Sequence, residues 1–138
     1  MRTRFLLAVL AAAGLAGCGG AGAGGAEFEG VEGDVAEAIE RLETSGTRQE
    51  SAGEICRDLL TTALAQRLAG DGGSCEREIR QAIADADFSQ LSVTDVTVRG
   101  EAATARVESS SGELRRRATV ELARERGDWR VSAIRSVR

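Results

Sequence analysis

The chain contains no histidine, tyrosine or proline, and all 18 of its basic residues are arginine, so it has no lysine. Each absence removes a class of chemistry. Without imidazole there is neither the commonest general base nor the nitrogen ligand that zinc sites favour. Without lysine no Schiff base can form, and without a phenol no tyrosine can stabilise an oxyanion. Aromatic residues make up only 3% of the chain, leaving few rigid surfaces for gripping a ligand. No cofactor and no metal are expected from this composition.

What remains is ordinary for a small globular domain. The 138 residues allow one compact domain, and 42% hydrophobic against 29% charged content supports a packed core. A formal net charge of -4 argues against nucleic acid as a partner, because such binding rests on neutralising phosphates.

The amino terminus carries the clearest address. Arg2 and Arg4 precede an uncharged apolar run from Phe5 to Ala16, the pattern of a secretory signal peptide. A spanning helix needs about 20 apolar residues, and this run is shorter and ends in glycine. Leu15-Ala16-Gly17-Cys18 resembles the lipobox of bacterial lipoproteins, in which the cysteine is lipidated and becomes the first residue. An ordinary signal peptide with Cys18 near the cut is the alternative. Two acyl chains, at about 0.8 kcal/mol per buried CH₂, anchor stably where one is marginal. The expected organisation is a signal peptide at 1–17, lipidated Cys18 with a glycine-rich tether over 18–30, and a folded domain over 31–138. The expected location is the outer face of the cell membrane, with the membrane itself a partner through the lipid.

Three helices are predicted. Val31, Val35, Ile39 and Leu42 form one helical stripe that Gly46 ends. Ile55, Leu59, Leu60, Leu64 and Leu68 mark the second, stopped by "AGDGGS". The third runs from Cys75 to about Asp87, with Ser74 as its N-cap. Cys56 and Cys75 fit a disulfide, since an exported chain meets an oxidising setting. Two buried thiols are the alternative, and a two-cysteine metal site a poorer one. The bridge sets a condition. An unbroken helix rising about 1.5 Å per residue would carry the chain about 20 Å from Cys56, whereas bridged Cα atoms lie about 4.4–6.8 Å apart. A break at Thr61-Thr62 is therefore predicted, with a threonine hydroxyl capping a new short helix near Ala63.

After Phe88 the period becomes two. "LSVTDVTVRG" and "EAATARVES" read as strands joined near Arg99-Gly100. A third strand puts Leu114, Ala118, Val120 and Leu122 on one face and Arg115, Arg117, Thr119 and Glu121 on the other. Arg116 breaks the pattern, so it belongs at a rim or a bulge. The last strand follows a hairpin turn at Gly127-Asp128 and packs Trp129, Val131 and Ile134 inward. Such one-sided alternation implies an α+β fold: an antiparallel four-stranded meander with helices on its apolar face.

"ICRDLLTTAL", "GGSCEREI", "VRGEAATARV" and the terminal "ERGDWRVSAI" together resemble the nuclear-transport-factor-2-like superfamily (SnoaL-like, cystatin-like α+β cones). The nearest resemblance is to small exported lipoproteins of high-GC Gram-positive bacteria, and it covers Val31 to Arg138. Related sequences often carry a proline inside "LLT-x-AL", where Thr62 stands here. The resemblance implies a curved sheet around an interior that binds an apolar ligand, hosts proton transfer, or is filled by side chains. The isomerases and cyclases of the superfamily use a Tyr or His beside an Asp. With neither residue present, those catalytic roles have no positions to transfer onto.

Two functions follow as expectations. In the first, Phe88, Val96, Val98, Val107, Leu122 and Trp129 line a pocket for an apolar small molecule; packing the core is the plainer role for the same residues. In the second, the domain docks an envelope protein or anionic headgroups through an arginine patch of Arg115, Arg117, Arg124 and Arg126, with Arg116, Arg130 and Arg135 nearby. Its plainer reading is a solvated face paired with Glu108, Glu121 and Glu125. Asp58, Asp87 and Asp95 are the conceivable general bases, but each stands alone, and a non-enzymatic role is expected.

Overall fold

The computed structural model describes residues 27–85 and 90–137. The signal peptide, Cys18, most of the tether, Asp87 and Phe88 lie outside the described residues.

Helices come first and a meander follows, as the change of period required. Helix α1 spans Gly30–Gly46, α2 is the single turn Ala52–Glu54, α3 spans Thr62–Ala69 and α4 spans Cys75–Asp85. A 3₁₀ turn at Gln49–Ser51 leads into α2. Strands β1 (Leu91–Arg99), β2 (Ala102–Ser111), β3 (Leu114–Glu125) and β4 (Asp128–Val137) pair antiparallel in sequence order. This is the α+β cone expected, with four helices on a curved sheet.

Register puts one apolar row above another on the inner face. Val96, Ala105 and Val120 are cross-strand partners, and Val98, Ala103, Leu122 and Val131 form the next row. Against these rows pack Val35 and Ile39 of α1, with Ile55, Leu59 and Leu60 from the chain after α2. Ile39, Ile55 and Leu122 are fully buried, each contributing about 1.5–3 kcal/mol by leaving water. The other face carries Thr97, Thr104 and Arg106, all exposed.

Two bulges set the phase. Thr94 is unpaired between Val93 and Asp95, and Ser132 between Val131 and Ala133. One extra residue flips the alternation, which is how Trp129, Val131 and Ile134 share a face despite their odd spacing.

Four expectations need correction. Ile134 pairs with Val120 on the inner face, yet it is 57% exposed, because the helices do not reach that end of β4. Leu114 and Val31 are also exposed, at the start of β3 and of α1. The β3–β4 turn is Arg126-Gly127 rather than Gly127-Asp128, with both residues at positive φ (55° and 90°), the twist that tight hairpins prefer. The folded part also begins before Val31, since Phe28 already packs against the core. Arg116 sits in an unbroken part of the β2–β3 ladder opposite Ser109 and is exposed, so it marks the rim and not a bulge.

Candidate functional site

The geometry around the helix break organises one end of the molecule. After α2 the chain makes a single wide turn, Ile55–Leu59, closed by Leu60 N–H donating to the Ile55 carbonyl at 3.0 Å. Leu60 and Thr61 are then extended, and the Thr61 hydroxyl accepts from Leu64 N–H at 3.2 Å, starting α3. The predicted break and cap are both present, with α3 starting at Thr62. The break lets the chain return: the Cys56 and Cys75 Cα atoms lie 6.1 Å apart and their sulfurs are bonded. Ser74 caps α4 through Arg77 N–H at 3.2 Å. A Cβ on Gly73 would collide with the Ala69 carbonyl, so this return turn admits glycine alone.

The break also docks onto the sheet. Leu60 forms a parallel bridge to Val131, and Thr61 N–H donates to the Val131 carbonyl at 2.9 Å. The Arg67 guanidinium donates to the carbonyl of Ser132, the bulge residue, at 2.8 Å. Beneath this crossing lies Arg130, only 8% exposed, with Nη1 donating to the Arg57 carbonyl. Its Nε is buried and has no acceptor. No carboxylate among the described residues lies within ion-pair distance of it. Cys56, Arg57, Asp58, Arg126 and Arg130, with residues of α3, bound an open cleft of about 480 Å³.

A second cleft of about 320 Å³ lies between the polar face of α1 and the β3–β4 hairpin, lined by Asp34, Glu37, Arg41, Arg124, Asp128 and Trp129 among others. The Arg124 guanidinium stands 5.2 Å from the Trp129 ring centroid, a cation–π contact. Arg124 Nε and Trp129 Nε1 are both buried without acceptors.

The residues expected to line an apolar pocket fall in the packed core. Val96, Val107, Leu122 and Trp129 are buried and Val98 half-buried, all against the one hydrophobic cluster. Phe88 is outside the described residues.

The expected arginine patch is divided. Arg115 and Arg117 lie at one end of β3 and Arg124 and Arg126 at the other, nine residues separating Arg117 from Arg126, about 30 Å at about 3.4 Å per residue. Arg117 pairs with Glu108 at 3.0 Å and Arg135 with Glu121 at 2.8 Å, both on the solvent face. Arg124 belongs to the inner face over Trp129, and Arg130 is buried. Glu125, expected as an arginine partner, instead accepts from Thr62. Asp95 is exposed on β1 opposite Arg106, and Asp58 is exposed at the first cleft.

Sequence reasoning placed Arg130 on a solvent face. Strand alternation carries no sign of its burial, which depends on the chain crossing β4 from 70 residues earlier.

No family model and no curated protein matches the chain. Among solved structures, an NTF-2 like protein of unknown function from Silicibacter pomeroyi DSS-3 is similar at 16% identity and a TM-score of 0.49, over 73% of this chain and 91% of that one. A protein described as Rd1NTF2_04 with long sheet is similar at 18% identity and a TM-score of 0.49, over 77% of this chain and 99% of that one.

Proposed function

We propose that the chain is an exported lipoprotein whose folded domain serves as a non-enzymatic binding module at the outer face of the cell membrane. One observation carries the reading. Of the three cysteines, Cys56 and Cys75 bond to each other, so Cys18 is left as the single thiol, placed where the lipobox pattern requires it. A structural disulfide fits an oxidising compartment, and two acyl chains on Cys18 would hold the domain at the bilayer.

Binding is favoured over catalysis by composition and by placement. The chain has no imidazole, phenol or lysine amine to act beside a carboxylate. Its large inner-face residues are spent on packing, so a ligand is better accommodated in the two surface clefts than in the apolar interior. Arg130 lines the first cleft and Arg124 and Trp129 the second; each also carries a buried donor without an acceptor, and such donors are costly.

Intact-mass spectrometry of native protein tests the address. The expected species begins at Cys18 and carries a diacylglycerol, and Cys18→Ser leaves the membrane fraction. Retained Met1, or an unmodified leading sulfur, overturns the reading.

A further inference from the structure

We propose that the cleft bounded by the Ile55–Leu59 turn, α3 and β4 binds a phosphoryl group, with Arg130 as its buried anchor and Arg126 at its rim. The inference goes beyond lipid anchoring and stands whether or not the chain is exported.

Arg130 is the central observation. A guanidinium that is 8% exposed has lost most of its hydration, and an isolated buried charge is expensive unless paired. Here Nη1 is occupied by the Arg57 carbonyl, a neutral acceptor. The opposite edge carries Nε and Nη2, and Nε is buried with no acceptor among the described residues. That edge is a planar two-donor fork, the geometry that takes phosphate or carboxylate oxygens in a bidentate fashion.

Charge selects between those ligands. Three guanidinium groups (Arg57, Arg126 and Arg130) and one carboxylate (Asp58) line the cleft. The neighbouring Glu125 is engaged by the N–H and hydroxyl of Thr62. With Asp58 and Glu125 both counted, one positive charge is left uncompensated, and a phosphomonoester, at about -1.5 to -2 at pH 7, is drawn to it more strongly than a singly charged carboxylate. A cleft of about 480 Å³ falls within the range of small-molecule sites, about 300–1,000 Å³, and exceeds what one ion needs. Arg126 stands at the rim of the cleft, where the tight β3–β4 turn holds it at positive φ.

A phosphoryl group could come from a soluble phosphomonoester or from a lipid headgroup, and two probes separate them. Full-length protein in neutral detergent is titrated with glycerol 3-phosphate, and separately with lysophosphatidylglycerol mixed into the same micelles. Saturable, salt-weakened binding of at least one probe is expected. Arg130→Gln and Arg126→Gln should each weaken it by about tenfold or more, the loss of one charge-assisted hydrogen bond. Asp58→Asn should tighten it, and Arg115→Gln, at the far end of β3, should leave it unchanged. Arg126 is exposed, so its variant reports even if Arg130→Gln fails to fold. Binding of neither probe, or binding that survives Arg126→Gln at full strength, overturns the site. The mass measurement bears on export alone, so the two proposals fail separately.

Discussion

Glu125, the last residue of β3, closes the amino end of α3: its carboxylate oxygens accept from Thr62 N–H, both at 3.1 Å, and from the Thr62 hydroxyl at 3.2 Å. A strand terminus thereby supplies the negative charge that a helix start favours, across 63 positions of sequence. Together with Thr61, which caps the same turn from within, it fixes where α3 begins. Glu125→Ala should cost about 0.5–1 kcal/mol, reduced by solvent screening, and Thr61→Ala about 1 kcal/mol. Glu125→Gln, which keeps an acceptor, should lose less than Glu125→Ala. Thermal unfolding of the three variants checks the order.

Opening the Cys56–Cys75 bridge should destabilise the domain substantially. The bridge spans a separation of 19 residues, and closing a loop of that size is worth about 3 kcal/mol on the chain-entropy model. For a domain of this size the loss corresponds to a fall in Tm of about 10–20 °C. Calorimetry of the paired Cys56→Ser, Cys75→Ser variant against the parent gives the value. An unchanged Tm would show that the bridge does not constrain the fold.

Trp129 is the only tryptophan and is 4% exposed beneath Arg124. Its fluorescence should therefore resist iodide quenching until the protein unfolds. Trp129→Ala should cost about 3–5 kcal/mol through the cavity it leaves. Trp129→Phe should cost much less, because it keeps a ring in place and removes the buried N–H that lacks an acceptor. Equal losses in denaturant titrations of the two variants would contradict this account.

The β3–β4 turn should be improvable. Asn-Gly is the preferred pair where both turn residues take positive φ, and Arg126-Gly127 occupies that geometry. Arg126→Asn should raise stability by about 0.5–1 kcal/mol while weakening phosphate binding. A variant that gains stability and keeps its affinity would separate the turn from the cleft.

The sequence made the architecture legible where a local rule and a constraint coincided. The break at Thr61 followed from the separation of Cys56 and Cys75 together with two threonines able to cap, and the shift from helical to alternating pattern located the sheet. Alternation assigned Ile134 and Leu114 to a face but could not say whether helices cover that face so near its ends. The bulge at Ser132 was hidden, since one extra residue looks like any polar strand position. Arg130 was misjudged for a related reason: its burial comes from Leu60 and Thr61 lying along β4, a long-range contact without a local signature. The arginines scattered because register, not proximity in sequence, decides which cations share a surface, and seven of them fell on two faces and two ends of the sheet.

The bulge at Thr94 has an effect on how copies of this domain meet one another. β1 is an outermost strand, and an outermost strand with an even row of donors and acceptors invites a second molecule to extend the sheet. Here the first of those donors, Leu91 N–H, is already taken by Glu43 of α1 at 2.9 Å, and the extra residue puts the row out of step soon after. Molecules crowded side by side would thus find no regular template for fibril growth along this border, and would stay separate at densities where a flat strand would polymerise.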